Sequence, residues 1–301
     1  MQQRVGVVGL GNMGAGIARN FQKNGVPLMV WDISRAACSA FEGLCGVEIA
    51  PPGEMAAQCT VIFFVVPATP EIAACLEGAQ GVLARGAEGL ILYDFTTSHP
   101  AATREMAAKA QARGIAYLDA GMSGGAAGAQ AGTLTLMIGG QREAFERTRP
   151  LLEAIAGQIF YLGGSGAGHT LKLIHNMVLH TIFLATCEGG RMARLAGIDL
   201  ADMIAVFNVS NARSFISEVR FPKHILSGKW DGRSRVYNLH KDVSMAVELA
   251  AELDAKVPLG TVTRNLLDAA VDLGMEETDF TRIYERFGEI VAAQGGSGRP
   301  R

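Results

Sequence analysis

Lys172 is followed one helical turn later by Asn176, just past the glycine-rich run Gly163 to Gly168. Residues four apart on an α-helix share a face, with Cβ atoms roughly 5 to 6 Å apart, so an amine and an amide set this way can meet the same small molecule. The amine is a candidate for moving a proton. A lysine does this best as a base when burial and a neighbouring cation draw its pKa from ~10.4 toward ~7 to 8. His175 points about 100° away from Asn176 on the helix and reads, like His169 and His180, as a hydrogen-bonded core residue.

Moving a proton alone changes no oxidation state, but removing a hydride with it needs an electron acceptor, and the amino-terminal part of the chain offers a place to hold one. In Val5-Gly-Val-Val-Gly9-Leu10-Gly11-Asn12-Met13-Gly14 an apolar strand feeds a turn and then a helix. Gly9 permits the tight turn, Gly11 lets the backbone approach a pyrophosphate, and Gly14 lets helix pack on strand. The helix N-terminus then presents unpaired N–H groups to phosphates. Asp32 ends the second apolar run about 20 residues further on, where a carboxylate binds both ribose hydroxyls of an adenosine and repels a 2′-phosphate. This reading prefers NAD to NADP, with NADP still open because Arg35 lies nearby. The strand ends at Val66-Pro67 and Asp94-Phe-Thr96 complete the expected crevice.

These residues need a sheet to position them. Arg4 to Gly9, Leu28 to Asp32, Val61 to Val66, Leu90 to Asp94, Ala116 to Asp119, Leu134 to Ile138 and Gln158 to Leu162 read as strands, with Ala-rich helical stretches between the earlier ones. Near-continuous aliphatic runs such as Val61-Ile-Phe-Phe-Val-Val66 suit strands covered on both faces, as in parallel sheets. Alternation of strand and helix predicts an α/β fold with a doubly wound sheet over residues 1–164. After Gly168 the period changes to 3.6. Helices are expected at Leu171 to Ala196, with apolar residues on nearly all sides and therefore buried between other elements, and at Leu200 to Val209, Asp242 to Leu253, Leu259 to Leu273 and Phe280 to Ala293. Residues 165–293 thus read as an all-helical domain and 294–301 as a flexible tail.

Of 301 residues, 49% are apolar and 19% charged, and the formal net charge is -2. A chain so composed builds a large core, and it has no broad cationic field for nucleic acid. Five cysteines without C-x-x-C spacing or neighbouring His and carboxylate clusters predict reduced thiols and no metal site. Glycines interrupt the apolar amino end, which reads as strand and turn and not as a leader, and polar residues interrupt every run long enough to span a membrane. A cytoplasmic location is the expectation.

Four segments occur in a fixed order: the glycine turn, Asp119-Ala-Gly-Met-Ser123-Gly124-Gly125 continuing to Gly132-Thr-Leu-Thr-Leu-Met-Ile-Gly-Gly140, Gly166-Ala-Gly168-His-Thr-Leu-Lys172-Leu-Ile-His-Asn176, and Lys241-Asp242. As a set they resemble the β-hydroxyacid dehydrogenase family, over about residues 4 to 290. The resemblance implies a Rossmann domain followed by a helical domain similar to that of 6-phosphogluconate dehydrogenase, with the active site between them, and assembly as a homodimer or homotetramer. It implies NAD(P)-dependent oxidation of a short 3-hydroxy carboxylic acid, or reduction of the matching semialdehyde. Carried over, Lys172 is the catalytic acid and base. Ser123, Gly124 and Gly125 hold the substrate carboxylate, and Asn176 fixes its hydroxyl or carboxylate. Asp242 lies near the substrate, Lys241 on the cofactor side, and Thr96 beside the nicotinamide ribose. Ser234 departs from the family pattern, where several aldehyde-reducing members carry Phe. Two other readings of the same architecture are an imine reductase, which usually has Asp or Tyr in place of Lys172, and a cofactor-binding scaffold without catalysis.

Overall fold

The computed structural model describes residues 4–296, and the tail expected from residue 294 falls, beyond Gly296, outside them. The chain divides into two compact units, one reaching Lys172 and the other beginning at Leu173.

The first unit is built on one eight-stranded sheet: β1 (Val5–Val8), β2 (Leu28–Trp31), β3 (Val47–Ile49), β4 (Val61–Phe64), β5 (Ile91–Asp94), β6 (Ala116–Ser123), β7 (Leu134–Gly139) and β8 (Ala156–Gly163), in the order β3-β2-β1-β4-β5-β6-β7-β8. Neighbours pair in parallel except β6 with β7. The connection 124–133, with the short helix Gly125–Ala131, is too brief for the crossover of a dozen or more residues that a parallel return needs. Side chains alternate between two cores. Val5, Val7, Phe63 and Tyr93 join one face, and Val8, Ile62, Phe64 and Leu92 the other. Burial on both faces is why these strands read as continuous apolar runs. Strand order reverses between β1 and β4, which opens a crevice at their carboxyl ends.

The expected strands are all present with ends shifted by a few residues. Unforeseen was β3, a three-residue edge strand that is mostly exposed and so carries no apolar pattern.

The second unit has its own core, centred on Phe183, Phe221, Phe280 and Phe287. It holds the remainder of the helix Ala167–Leu195, the helices Leu200–Asn208, Val236–Glu252 and Pro258–Asp272, and a 3-10 turn Phe280–Arg282 that runs into Ile283–Gly296. A π-helix, Ile216–Leu226, was not expected, because Pro222 within it reads as a helix breaker. Its buried residues Ile216, Phe221 and Ile225 are spaced five and four apart, the period of the wider winding, and the Ser217 carbonyl oxygen, five residues before Pro222, accepts instead from Asn208 Nδ2 at 3.1 Å.

The expectation that Leu171 to Ala196 is buried between other elements holds for one side of the helix and fails for another. Leu173, Phe183, Leu184 and Cys187 are buried, but Leu171, Ile174, Val178 and Ile182 are 37–49% exposed and form one row along the helix. Apolar composition on every side does not bury every side within a single chain. All five cysteines are free thiols. No helix among the described residues is long and apolar enough to cross a membrane, and among those residues no cluster of His, Cys, Asp or Glu is placed to hold a metal.

Candidate active site

The glycine turn follows β1 at the switch point of the sheet. Gly9 adopts φ +94°, and a Cβ there would lie 2.3 Å from the Val65 carbonyl oxygen. A Cβ on Gly14 would lie 1.8 Å from the Gly9 oxygen, and one on Gly16 would lie 2.8 Å from the Ala129 backbone. Bare backbone at Gly9 and Gly14 lets the helix Gly14–Lys23 close onto the turn and the end of β4, and at Gly16 it lets that helix meet the helix Gly125–Ala131. Gly11 differs, since a Cβ there would meet nothing within 4 Å. It is exposed with Asn12, beside half-buried Met13 and buried Leu10.

Asp32 follows β2. Its Oδ2 accepts from Leu10 N at 2.6 Å and its Oδ1 from Ser34 N at 2.7 Å. Both bonds leave lone pairs on a carboxylate whose orientation is fixed at the rim of the turn. Val66 is half-buried and Pro67 exposed beyond β4. Beyond β5, Thr96 is 2% exposed, and its Oγ1 is buried with no hydrogen-bond partner. A buried hydroxyl without a partner is costly unless something else supplies one. Together, the backbone cradle, the rim carboxylate and this orphaned hydroxyl fit a dinucleotide.

Asp94 organises the neighbourhood of Thr96. Its Oδ1 accepts from Thr96 N at 2.8 Å and its Oδ2 from the Tyr117 hydroxyl at 2.7 Å. Burial and then the adjacent Asp94 push the Tyr117 hydroxyl well above the usual tyrosine range, so it stays a donor. The Asp94 carbonyl oxygen lies 3.2 Å from His169 Nε2, and His169 Nδ1 lies 2.7 Å from Thr103 Oγ1. His169 is thus the buried, hydrogen-bonded residue its sequence context suggests. The start of the helix Ala167–Leu195 is held by Asp119, whose Oδ1 accepts from Gly166 N and Oδ2 from His169 N at 2.7 and 2.8 Å.

Lys172 lies on this helix and is half-buried. A Cβ on Gly121 of β6 would lie 2.6 Å from the Lys172 Cβ, so the root of the lysine is seated directly on the strand. Ser123 is two residues further along β6 and therefore on the same face as Gly121. The chain then turns through Gly124 (φ +120°) and Gly125 (φ +60°), both exposed.

In the second unit, Asn176 is 6% exposed, and its Nδ2 donates to Asp242 Oδ2 at 2.6 Å. Its Oδ1 lies 3.0 Å from His175 Nδ1, a pairing that sequence spacing did not suggest. Asp242 Oδ1 lies 3.1 Å from Lys241 Nζ without the alignment of a hydrogen bond. Asn176, Asp242 and Lys241 are therefore brought together. At Ser234, the departure from the family pattern, the hydroxyl oxygen accepts from Asn238 Nδ2 at 3.1 Å.

Sequence reasoning singled out neither Asp94 nor Asp119 for a task of its own. Each ends or interrupts an apolar strand, an expensive place for a carboxylate, and that was the available signal.

Comparison with known proteins agrees with these features. Residues 4–163 match the family model described as the NAD binding domain of 6-phosphogluconate dehydrogenase, and residues 166–287 match that described as NAD-binding of NADP-dependent 3-hydroxyisobutyrate dehydrogenase. A 3-hydroxyisobutyrate dehydrogenase of Pseudomonas aeruginosa is 33% identical, covering 94% of this chain and 98% of that protein. The NAD-dependent L-serine dehydrogenase of the same organism is 32% identical, over 95% and 98%. The crystal structure of a 3-hydroxyisobutyrate dehydrogenase from Salmonella typhimurium superposes with a TM-score of 0.85 at 30% identity, over 94% and 99%. An imine reductase from Pseudomonas sp., 18% identical with a TM-score of 0.62 over 95% of this chain and 100% of that one, shares the fold alone. With a dinucleotide cradle, matching models along both halves and full-length relatives above 30% identity, the chain belongs to the β-hydroxyacid dehydrogenase family.

Proposed function

We propose that this protein is an NAD(P)-dependent oxidoreductase that oxidises a short 3-hydroxy carboxylic acid or reduces the corresponding semialdehyde, with Lys172 as general acid and base. The observation that carries this reading is the seating of Lys172 against Gly121, with Ser123 and its glycine turn next on the same face of β6. It joins a proton-transfer group to a turn of N–H groups suited to a carboxylate. Relatives named as 3-hydroxyisobutyrate and L-serine dehydrogenases support the substrate class.

Gly9, Leu10, Gly11, Asn12, Met13 and Gly14 would hold the pyrophosphate, Asp32 the adenosine ribose, Val66 and Pro67 the adjoining wall, and Thr96 the nicotinamide ribose, with Lys241 on the cofactor side. The bound nicotinamide supplies the acceptor or donor of hydride. In oxidation, Lys172 Nζ as the free amine takes the hydroxyl proton while the carbon–hydrogen bond gives up its electron pair as hydride, leaving a carbonyl. In reduction, the ammonium polarises the carbonyl and returns the proton to its oxygen. Ser123, Gly124 and Gly125 bind the substrate carboxylate. Asn176, its amide oriented by Asp242, fixes the hydroxyl or carboxylate. Mixing the protein with NAD and a panel of 3-hydroxy acids should produce NADH absorbance. Cofactor binding with no turnover on any member would instead favour a scaffold.

Asp32 supports NAD as the preferred cofactor, because a carboxylate facing a 2′-phosphate is a like-charge contact that costs several kcal/mol. Asp32→Ser is expected to shift the ratio of kcat/KM for NADP over NAD upward by about 10- to 100-fold, equivalent to ~1.4 to 2.8 kcal/mol. An unchanged ratio in paired assays would remove Asp32 from the ribose site.

Self-association as a homodimer or homotetramer belongs to the same proposal. The uncovered row Leu171, Ile174, Val178 and Ile182 supports it, since contiguous exposed apolar surface commonly marks an interface. Sedimentation velocity should give two or four times the chain mass, and a monomer at micromolar concentration would contradict it.

A further inference from the structure

We propose that Asp119 is a positioning residue for Lys172: its buried carboxylate clamps the first turn of the helix Ala167–Leu195 and thereby fixes where the lysine stands over β6. This rests on the proposed role of Lys172 and goes beyond it.

The first N–H groups of a helix have no partner within it. Here two of them, Gly166 N at the lead-in and His169 N in the first turn, both donate to one carboxylate that is 0% exposed. Charge-assisted bonds of this kind are shorter and roughly twice as strong as neutral ones, and an anion at a helix N-terminus is favoured by the helix dipole. A neutral serine or asparagine cap would satisfy such groups without burying a charge. The stiffer and costlier arrangement is the one present.

The clamp has little slack. A Cβ on Gly168 would lie 2.3 Å from the Met137 carbonyl oxygen, one on Gly139 would lie 2.7 Å from Asp119 Oδ1, and one on Gly121 would lie 2.6 Å from Lys172 Cβ. Three glycines thus let the first helical turns press onto β6 and β7, and Asp119 sits within that contact. The helix start is also tied to the turn that carries Thr96. His169 reaches Thr103 Oγ1 through Nδ1 and the Asp94 carbonyl through Nε2, while the Asp94 carboxylate holds Thr96 N and the Tyr117 hydroxyl. One buried network therefore sets both the lysine and the residue assigned to the nicotinamide ribose. A displacement of about 1 Å at a reacting group can cost ~10²-fold in rate.

Asp119→Asn keeps the side-chain size, removes the charge and turns one acceptor into a donor that faces an N–H. It is expected to melt cooperatively and bind NADH within about threefold of wild type, with KM changed by less than about threefold and kcat lowered by about 10- to 100-fold. A second readout needs no turnover. Trace labelling with acetic anhydride, read by mass spectrometry, should show the rate at Lys172 changed at least about threefold relative to exposed Lys256, as a moved amine requires. Wild-type kcat together with a wild-type labelling ratio in folded Asp119→Asn would overturn the proposal. If that variant fails to fold, Asp119→Ser, which removes the charge and leaves one smaller acceptor for the two N–H groups, carries the test. The same two readouts should then move by about three- to tenfold, and unchanged values would overturn the proposal. If wild-type protein oxidises no 3-hydroxy acid, the proposed activity fails, and the labelling ratio alone decides whether Asp119 positions Lys172.

Discussion

Lys172→Ala is expected to lower kcat by about 10²- to 10⁴-fold, the range a general acid or base contributes, while NADH affinity and melting temperature stay close to wild type. Alanine keeps the Cβ that lies against Gly121, so the seating of the helix on β6 survives and the loss isolates the amine. Lys172→Arg should fail almost as badly, because a guanidinium does not give up its proton in a protein. Steady-state rates with saturating cofactor and a 3-hydroxy acid make the comparison, with NADH fluorescence titration as the control. Turnover within about threefold of wild type in the alanine variant would remove Lys172 from the chemistry.

The second large effect separates two glycines three residues apart. Gly14→Ala places a methyl group 1.8 Å from the Gly9 carbonyl oxygen, backbone against backbone. Neither group can yield without moving β1 away from the helix Gly14–Lys23. Overpacking of this kind costs ~1 to 3 kcal/mol or more, and the variant should lose both thermal stability and cofactor binding. Gly11→Ala meets nothing within 4 Å, so its stability should stay within about 0.5 kcal/mol of wild type. Its methyl group would nonetheless fill the space where the pyrophosphate approaches the backbone, and NADH should bind at least about tenfold more weakly. Calorimetry and fluorescence titration on the pair give the answer. Normal NADH affinity in Gly11→Ala would mean that the turn does not cradle phosphate.

The contrast between those glycines shows what the sequence made legible. Gly9, Gly11 and Gly14 announced a strand, turn and helix by spacing alone, and all three stand in that context. Six of the seven expected strands were readable because burial on both faces writes a continuous apolar run, as in Val61 to Phe64, whereas β8, an edge strand, was readable from its apolar residues Ile159 to Leu162 although Phe160 and Leu162 are 50% and 38% exposed. Edge strand β3, exposed on most of its length, had no such imprint. The helix Ala167–Leu195 was evident from its period, but its exposed row was not, since composition records which residues are apolar and not what covers them. The π-helix left no such period, because its buried residues Ile216, Phe221 and Ile225 are spaced five and four apart and Pro222 reads as a break.

At the site, Asn176 and Asp242 were named separately, and their 2.6 Å hydrogen bond joins residues 66 positions apart. Long-range pairing of this sort leaves no trace in local pattern. Asp119 was visible only as the first letter of the segment that ends in Ser123-Gly124-Gly125. Its hold on Gly166 and His169 depends on β6 and the later helix meeting in space, which only tertiary structure discloses.

Transfer of label from substrate to cofactor tests the central claim most directly. A 3-hydroxy acid carrying deuterium on the hydroxyl-bearing carbon would be incubated with protein and NAD, and the reduced cofactor examined by mass spectrometry and proton NMR. The expected result is one deuterium at the hydride-accepting carbon of the nicotinamide, on a single face, with the semialdehyde or its decay product in equal amount. Reduced cofactor without deuterium, or none from any 3-hydroxy carboxylate while NADH binds tightly, would contradict the assignment of this protein as a 3-hydroxy acid dehydrogenase.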